Sequence, residues 1–215
     1  MDYAAGVDFG GSSVKAGRAG RRGWIRVGRT GPPEPRAVFE EVLPPVVGAL
    51  ASMRYGLGAG DRLVAVGVGT PGFIDTDGVL VGGCENIPRL KGRAVGRHLG
   101  GTLGVPGFAD NDATVAAAGE LLFGAGRGIR NFVLATVGTA IGGGLVLDGR
   151  VFRGARGFAA EIGHVCVDPA GLWCNCGSRG CLEQYASGSA ISRVYAEKTA
   201  KRGARETVTP RDVAS

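Results

Sequence analysis

Four side chains that could bind a metal ion lie close together in the second half of the chain. One imidazole, His164, is followed by three thiols, Cys174, Cys176 and Cys181. The spacing His-x9-Cys-x-Cys-x4-Cys supplies a complete Cys3His shell without an open position, which is typical of structural zinc. We therefore predict one structural Zn2+ on these residues. The alternatives are a zinc knuckle that only folds a loop, and buried cysteines without a metal.

Two carboxylates flank this set of ligands. Glu161 lies just before His164, and Glu183 lies just after Cys181. A metal-tied loop would hold both carboxylates rigidly. By itself the pattern indicates a metal site and not an enzyme.

Each half of the chain also contains a strand, a glycine-rich turn with a hydroxyl residue, and a second strand. Glycine lets backbone N–H groups approach an anion closely, and Ser or Thr hydroxyls add donors. Neither turn has the terminal Gly-Lys-Ser/Thr of a phosphate loop or opens a helix as dinucleotide-binding turns do. One such turn alone would indicate an ordinary hairpin, whereas two predict a duplicated domain facing a shared phosphate. The residues concerned are Gly10, Gly11, Ser12 and Ser13 in the first turn, and Gly138, Thr139, Gly142, Gly143 and Gly144 in the second.

Composition restricts the class of protein. The chain has 215 residues, of which 44% are hydrophobic and 20% charged, and this excludes a disordered chain despite 41 glycines. No apolar stretch is long enough to span a membrane and no leader opens the chain, so we expect a cytoplasmic protein. Cys84 and Cys166 lie outside the ligand set, and we expect both to be free thiols.

The net charge of +6 raises the question of nucleic acid. The arginines are scattered, however, and short clusters such as Arg21-Arg22 have no aromatic platform or recognition helix nearby. A solvated, arginine-rich surface is favoured, and we predict neither a nucleic-acid nor a membrane partner.

The turn signals predict an α/β fold with two domains, residues 1–109 and 110–215. Residues 37–55 have helical spacing, although Pro44-Pro45 must kink or split that helix. Asp148-Gly149 predicts a hairpin turn. The other predicted strands are 14–19, 24–29, 63–68, 78–81 and 105–109, and the other predicted helices are 94–103, 113–123 and 189–201.

Taken in order, these motifs resemble the ROK family (repressors, open reading frames, kinases), which includes bacterial glucokinases, fructokinases and N-acetylhexosamine kinases. The resemblance covers about residues 3 to 190. It rests on Asp8-x-Gly10-Gly11-Ser12, Asp110-Asn111-Asp112-Ala113, Gly138-Thr139-x-Ile141-Gly142-Gly143-Gly144, Glu161-Ile162-Gly163-His164, Gly180-Cys181-Leu182-Glu183 and Ser187-Gly188.

The resemblance implies an actin-like (ribonuclease H-like) duplicated sugar-kinase fold. It also implies an ATP-dependent, hexokinase- or glucokinase-like phosphotransferase that moves the γ-phosphoryl group of ATP to a hexose hydroxyl, with the 6-position of glucose expected first. Mg2+ would accompany ATP. The full-length form would be a homodimer or homotetramer.

Asp112 is the predicted catalytic base. It follows a strand end and precedes a helix, whose N-terminus would orient its carboxylate, and the resemblance matches it to the family's catalytic aspartate. The alternative is a plain helix N-cap. Asn111 is predicted to hydrogen-bond a sugar hydroxyl, because an amide both donates and accepts. Asp110 is treated as peripheral.

The remaining roles come from the resemblance alone. Asp8 would orient Mg2+ through water, and the two glycine turns would wrap the β- and γ-phosphates. His164 would serve twice, with one ring nitrogen on zinc and the other near the sugar. Two departures from the family pattern are Ala140, where the family has Gly, and the segment 89–91, which lacks the usual aromatic residue. The expected sugar ligands are Gly72, Asn86, Asn111, Asp112, Glu161, His164 and Glu183.

Two other functions are alternatives to a sugar kinase. The family's repressors carry a helix-turn-helix before the Asp-x-Gly-Gly motif, and Asp8 lies too near the first residue for one, so a regulator would lack its DNA-binding domain. The other alternative is a catalytically inactive, truncated sugar-binding protein. Thr209-Pro210 predicts the start of a further helix, and the family continues beyond this point. We therefore expect a truncated chain that keeps weak hexose affinity but shows little phosphorylation.

Overall fold

The computed structural model describes residues 2–9, 14–20, 23–30, 39–52, 60–83 and 90–200. Two compact units are present, Met1–Val115 with Arg153–Phe158, and Ala116–Phe152 with Ala159–Ser215. Four predicted features lie outside the described residues. They are the turn at 10–13, Asn86, position 89 of the 89–91 segment, and the helix start at Thr209.

A five-stranded sheet forms the centre of the first unit. Its first three strands make an antiparallel meander, and two parallel strands extend it on the other side of the first strand, which gives the order β3-β2-β1-β4-β7. A separate two-stranded hairpin, β5-β6, follows β4. The strands are β1 (Asp2–Phe9), β2 (Val14–Gly20), β3 (Gly23–Thr30), β4 (Arg62–Thr70), β5 (Phe73–Ile74), β6 (Leu80–Gly82) and β7 (Gly107–Asn111).

Alternate burial along β1 shows why this segment is a strand. Every second side chain, ending with Val7 and Phe9, is buried in the core, as the period of two requires. Helix α1 (Phe39–Ser52) contributes Leu43, Val46 and Leu50 to the same core. The helix is continuous with both prolines inside it, so the predicted split is wrong. Burial of one apolar face opposes the break that the missing N–H groups favour.

Helix α2 (Val95–Leu103) packs so closely on β7 that two of its positions must be glycine. A Cβ added at Gly96 would overlap the backbone of Phe108, and one added at Gly100 would lie 2.5 Å from the Val105 oxygen. Gly101, in the same helix, has no atom within 4 Å of the corresponding position. The helix ends at Gly104, which is left-handed with φ 71°.

The second unit contains the antiparallel sheet β10-β9-β8. The predicted hairpin at Asp148-Gly149 is present, with φ 51° and 73°, as a two-residue turn of the mirror-image type requires. Helix α3 starts in the first unit and continues into the second. The elements are α3 (Asp112–Phe123), β8 (Phe132–Val137), β9 (Ile141–Leu147), β10 (Arg150–Val151), a 3-10 turn (Ile162–His164), α4 (Glu183–Ala186) and α5 (Gly188–Ala200).

Two boundaries differ from the sequence analysis. Asp110 and Asn111 end β7, which pairs with β4, so they and Asp112 belong to the first unit and not to a domain that begins at 110. The segment Arg153–Phe158 also returns to the first unit, where the Phe158 ring lies 5.5 Å from that of Phe73. Within the described residues, none of the helices combines the length and apolar character needed to cross a membrane.

The close packing of α2 on β7 gives a direct test. Gly96→Ala should lower the free energy of unfolding by about 1–3 kcal/mol, because the new methyl group meets rigid backbone. The matched control Gly101→Ala should leave it unchanged or raise it by up to about 1 kcal/mol, because alanine favours helix and the site is open. Urea denaturation measures both. Equal destabilisation by the two changes would contradict the packing described.

Candidate functional site

The carboxyl ends of the three neighbouring parallel strands β1, β4 and β7 bring a group of acidic residues together. In the register of these strands, Asp8 lies beside Gly69 and Gly69 lies beside Asp110. Gly69 leaves room for Asp112, since a Cβ added there would lie 3.5 Å from the Asp112 Cα. This edge is where open α/β sheets bind their ligands.

Asn111 caps helix α3. Its Oδ1 accepts hydrogen bonds from the N–H groups of Ala113 (3.0 Å) and Thr114 (3.1 Å). Its Nδ2 donates to the carbonyl oxygen of Gly72 at 3.2 Å. The hydrogen bond of Asn111 to a sugar hydroxyl stays a prediction, and these contacts limit its direction. Both Oδ1 lone pairs are used by the helix, and one amide hydrogen remains to donate.

The Asp112 carboxylate is consequently not needed as the cap. Its Oδ1 accepts from the Ala113 N–H at 2.8 Å, and among the described residues Oδ2 has no hydrogen-bond partner. Burial raises the pKa of Asp112 above its ordinary value, the Ala113 N–H opposes this, and the negative charge of Asp8 raises it further. This is the environment of a carboxylate that can accept a proton.

Asp110 has a different partner, which sequence reasoning missed. Its Oδ2 accepts from Arg153 Nε at 2.6 Å, and its Oδ1 accepts from the Asn111 N–H at 2.9 Å. The side chain of Asp110 is 15% exposed and that of Arg153 48%. No local pattern connects positions 110 and 153, because the pair forms only when the chain returns to the first unit.

Asp8 is also paired. The Lys15 ammonium lies 3.0 Å from Asp8 Oδ2, and the two residues are directly opposed in the β1-β2 register. Sequence reasoning missed Lys15, although the hairpin register would have identified it. The charge of Asp8 is thus partly compensated without a metal ion.

In the second unit, a compact turn orients Glu161 and His164. Glu161 has φ −71° and ψ 57°, and the Ile162 N–H donates to the Ala160 oxygen across it at 2.7 Å, which together form an inverse γ-turn. The 3-10 turn that follows places positions i and i+3 on one side. Glu161 Oε2 accordingly lies 4.0 Å from His164 Nε2.

This turn packs directly on β9, and that contact explains the glycines there. A Cβ added at Gly143 would overlap the Ala160 oxygen, and one at Gly163 would overlap the Ile141 oxygen. Ala160 itself has φ 69°, a left-handed conformation that costs an alanine about 1–2 kcal/mol. Backbone strain therefore lies immediately before Glu161.

The four predicted metal ligands converge. Their donor atoms all lie within 4.8 Å of one another, with Cys174 Sγ 3.6 Å from His164 Nδ1 and Cys176 Sγ 3.5 Å from Cys181 Sγ. Tetrahedral zinc with its usual bond lengths would place sulfur and nitrogen about 3.5 Å apart and two sulfurs about 3.8 Å apart. The donor set and its spacing fit structural Zn2+.

Two of the three thiols, those of Cys174 and Cys181, need a cation to be held as thiolates. Burial raises the pKa of Cys174 to about 12, and the nearby Glu183 carboxylate adds to the shift. Burial also raises the pKa of Cys181, where the Cys176 thiol contributes. Glu183 Oε1 accepts from Cys174 Sγ at 3.1 Å and lies 3.7 Å from His164 Nδ1.

The second glycine turn is shorter than predicted. Gly142, Gly143 and Gly144 lie in β9, paired with β8, so the turn covers residues 138–140 only. The start of α5 holds it, since the Gly188 N–H donates to the Gly138 oxygen at 2.8 Å and Ser189 Oγ donates to the Thr139 oxygen at 2.7 Å.

The predicted site residues thus fall into three groups. Asp8, Gly72, Asn111 and Asp112 cluster in the first unit. Glu161, His164, Glu183 and the three cysteines cluster in the second, which also contains the 138–140 turn and the β9 glycines. Gly10, Gly11, Ser12, Ser13 and Asn86 lie outside the described residues.

Comparison with known proteins bears on both clusters. The family model of the ROK family matches residues 4–214. A glucokinase of Streptomyces coelicolor is 38% identical over 202 residues, which are 93% of this chain and 61% of the relative. A xylose repressor of Bacillus spizizenii is 34% identical over 65% of the chain and 36% of its own length. The crystal structure of a ROK family glucokinase from Streptomyces griseus in complex with glucose and AMPPNP aligns with TM-score 0.83 and 31% identity, covering 98% of this chain and 69% of that one.

We predict one equivalent of zinc per chain. Cys176→Ser should lower the zinc content far below one equivalent and unfold the loop, because metal binding contributes to local folding. Cys84→Ser, which changes a thiol outside the ligand set, is the matched control and should keep its zinc. Elemental analysis of the purified proteins measures this. Unchanged zinc in the Cys176 variant would rule out the assignment.

The pKa of Asp112 should respond to Asp8. Asp8→Asn removes a negative charge that raises it, and the freed Lys15 ammonium acts in the same direction, so the pKa of Asp112 should fall toward its ordinary value of 3.8. Carbon-13 NMR titration of the carboxyl groups, without ligands, measures the change. Asp77→Asn is the control, since Asp77 lies in the β5-β6 turn and is not among the groups that shift Asp112. An unchanged or raised pKa in the Asp8 variant would contradict this electrostatic coupling.

Proposed function

This chain belongs to the ROK family, and from that premise we propose that it binds a hexose and supplies the catalytic base for phosphoryl transfer from ATP to a sugar hydroxyl. Its fold is the α/β, actin-like sugar-kinase fold of that family. The chain spans 61% of the length of the Streptomyces coelicolor relative. The activity, substrates and partners of the whole protein are therefore all part of the proposal.

The proposal rests on one observation, which is that three successive polar residues make different contacts. Asp110 is paired with Arg153, and Asn111 caps the helix. Asp112 keeps one oxygen without a partner among the described residues, and its pKa is raised by burial. A base is most effective when its pKa approaches the working pH, so this shift favours proton abstraction.

In the proposed reaction, Asp112 accepts the proton of the sugar hydroxyl as that oxygen attacks the γ-phosphorus. The bond between the γ-phosphorus and the β–γ bridging oxygen breaks, and ADP leaves. Phosphoryl transfer requires little covalent chemistry from the protein beyond this base, positioning and charge stabilisation. Asp8 would hold Mg2+ through water, and the ion would supply neutralisation of the phosphate charge. Gly138 and Thr139, with the first glycine turn, would contact the phosphates.

Polar side chains of fixed orientation would recognise the sugar. Glu161 and His164 share one side of their turn, and the zinc shell would hold His164 through Nδ1, which leaves Nε2 as the ring nitrogen that can face a hydroxyl. Asn111 offers its remaining amide hydrogen. The first substrate to consider is glucose, phosphorylated at the 6-position, because the Streptomyces griseus structure contains glucose and AMPPNP.

Replacing Asp112 tests its assignment as the base. Asn accepts the Ala113 N–H bond, so Asp112→Asn should keep the fold and most sugar affinity, but it cannot take the proton. We expect kcat to fall at least ~100-fold with KM nearly unchanged. The assay measures sugar phosphate formed from Mg-ATP, in a chimera that continues this chain with the unmatched part of the Streptomyces coelicolor relative.

A kcat within a few-fold of the unsubstituted chimera would exclude Asp112 as the base. Asp110→Asn, which removes the charge paired with Arg153 and leaves Asp112 intact, separates loss of the base from loss of the ion pair. The 215-residue chain itself should bind a hexose weakly. Calorimetry with glucose, mannose, fructose and N-acetylated hexosamines would detect this, and no response to any of them would contradict the proposed sugar class.

A sugar-responsive role without turnover is the second candidate, and the identity with the xylose repressor favours it. In this role the protein would bind a sugar, but Asp112 would not act as a base. Hexose binding in the chimera without any sugar phosphate, and without an effect of Asp112→Asn on affinity, would support this alternative.

A further inference from the structure

We propose that Cys166 is an oxidant-sensitive thiol that forms a disulfide with Cys181, one of the four predicted zinc ligands. Cys166 is an exposed, free cysteine outside the Cys3His set. Neither the metal site nor the proposed phosphoryl transfer uses it.

Backbone pairing brings the two cysteines together. Cys166 and Cys181 form an antiparallel bridge between two segments of the zinc loop. The Leu182 N–H donates to the Val165 oxygen at 2.9 Å, and the Val167 N–H donates to the Gly180 oxygen at 2.8 Å. These bonds flank the cysteine pair, so Cys166 and Cys181 occupy a non-hydrogen-bonded position, where the two side chains lie on one face and approach most closely.

This position is compatible with a disulfide. The Cα atoms of a non-hydrogen-bonded antiparallel pair lie about 4.5 Å apart, and disulfides span Cα separations of about 4.4–6.8 Å. Only side-chain rotation and a small backbone shift are required. Gly180 fixes the approach, since it is left-handed with φ 70° and a Cβ added there would overlap the Asp168 backbone.

Accessibility decides which thiol reacts first. Cys181 is fully buried with 0% exposure, whereas the surface around Cys166 is open, with Val165 and Val167 exposed to 56% and 53%. A dissolved oxidant therefore reaches Cys166 before Cys181. Cys176 is exposed as well, but zinc would bind its sulfur, whereas the Cys166 sulfur is outside the shell.

The chemistry with hydrogen peroxide balances. The Cys166 sulfur attacks one peroxide oxygen, the O–O bond breaks, and Cys166 sulfenic acid and one water form. The Cys181 thiolate then attacks the Cys166 sulfur and displaces hydroxide, which takes a proton from solvent to give the second water. Two sulfurs lose two electrons in total, and peroxide is reduced to two waters.

The disulfide would remove one of four ligands from the zinc shell. Three ligands leave an open position and bind zinc more weakly than the closed set, so oxidation should release the ion. Because zinc binding contributes to folding, the loop carrying His164 and Glu183 should loosen with it.

The test uses the purified 215-residue protein with zinc bound, treated with hydrogen peroxide. Zinc release is followed with a chromogenic chelator, and the products are digested with trypsin and Asp-N. These cleavages give separate peptides for Cys166 (157–167), for Cys174 with Cys176 (168–179) and for Cys181 (180–193). We expect a 157–167/180–193 cross-link. We also expect zinc release at least ~5-fold slower in Cys166→Ser, as loss of the first thiol to react should cause.

Cys84→Ser is the matched control, since it also removes one cysteine outside the Cys3His set, and it should behave like the unsubstituted protein. A cross-link between 168–179 and 180–193 in place of the expected one would overturn the proposal, as would equal zinc release from the Cys166 variant. Peptide mapping does not depend on zinc or sugar kinase activity. If the protein carries no zinc, the presence or absence of the 166–181 cross-link still decides the proposal.

Discussion

The side chain of Asn111 is the constraint on which the first cluster depends. One amide joins three parts of the chain: the end of β7, the first N–H groups of α3, and the carbonyl of Gly72 at the start of the β5 hairpin. A helix N-terminus needs an acceptor for its orphan N–H groups. Since Asn111 supplies it, the carboxylate of the next residue need not, and α3 begins with Asp112 held in a fixed direction beside Gly69.

Local signals predicted the elements and the metal shell. The hairpins, the buried strand β4 and helices α2, α3 and α5 all follow from periodicity and turn residues, and the ligand set from short spacings. The sequence could not reveal ion pairs that form only when distant segments of the chain fold together, such as the pair of Asp110 with Arg153. Of the two outcomes predicted for Pro44-Pro45, a kink or a split, the split does not occur, because burial of one helix face opposes it.

The β9 glycines show how one residue type serves two different physical needs. Sequence reasoning assigned Gly142 to Gly144 to a phosphate turn, because close backbone approach to an anion requires glycine. In the structure Gly143 instead permits close approach of the Ala160 carbonyl, and Gly163 does the same from the other side for Ile141. A backbone carbonyl therefore requires close approach at Gly143, and the phosphate contact of Gly142 to Gly144 stays a prediction. That carbonyl contact fixes the turn carrying Glu161.

Charge pairing then explains why one carboxylate of three is suited to accept a proton. Lys15 compensates Asp8, and Arg153 compensates Asp110. Asp112 has no cationic partner among the described residues, and both burial and the nearby charge of Asp8 favour its protonated form. An ion pair would lower the pKa of a carboxylate and weaken it as a base. The two pairs therefore hold Asp8 and Asp110 without reducing the basicity of Asp112. The first pair follows from the β1-β2 register, and the second forms because the chain returns to the first unit at Arg153.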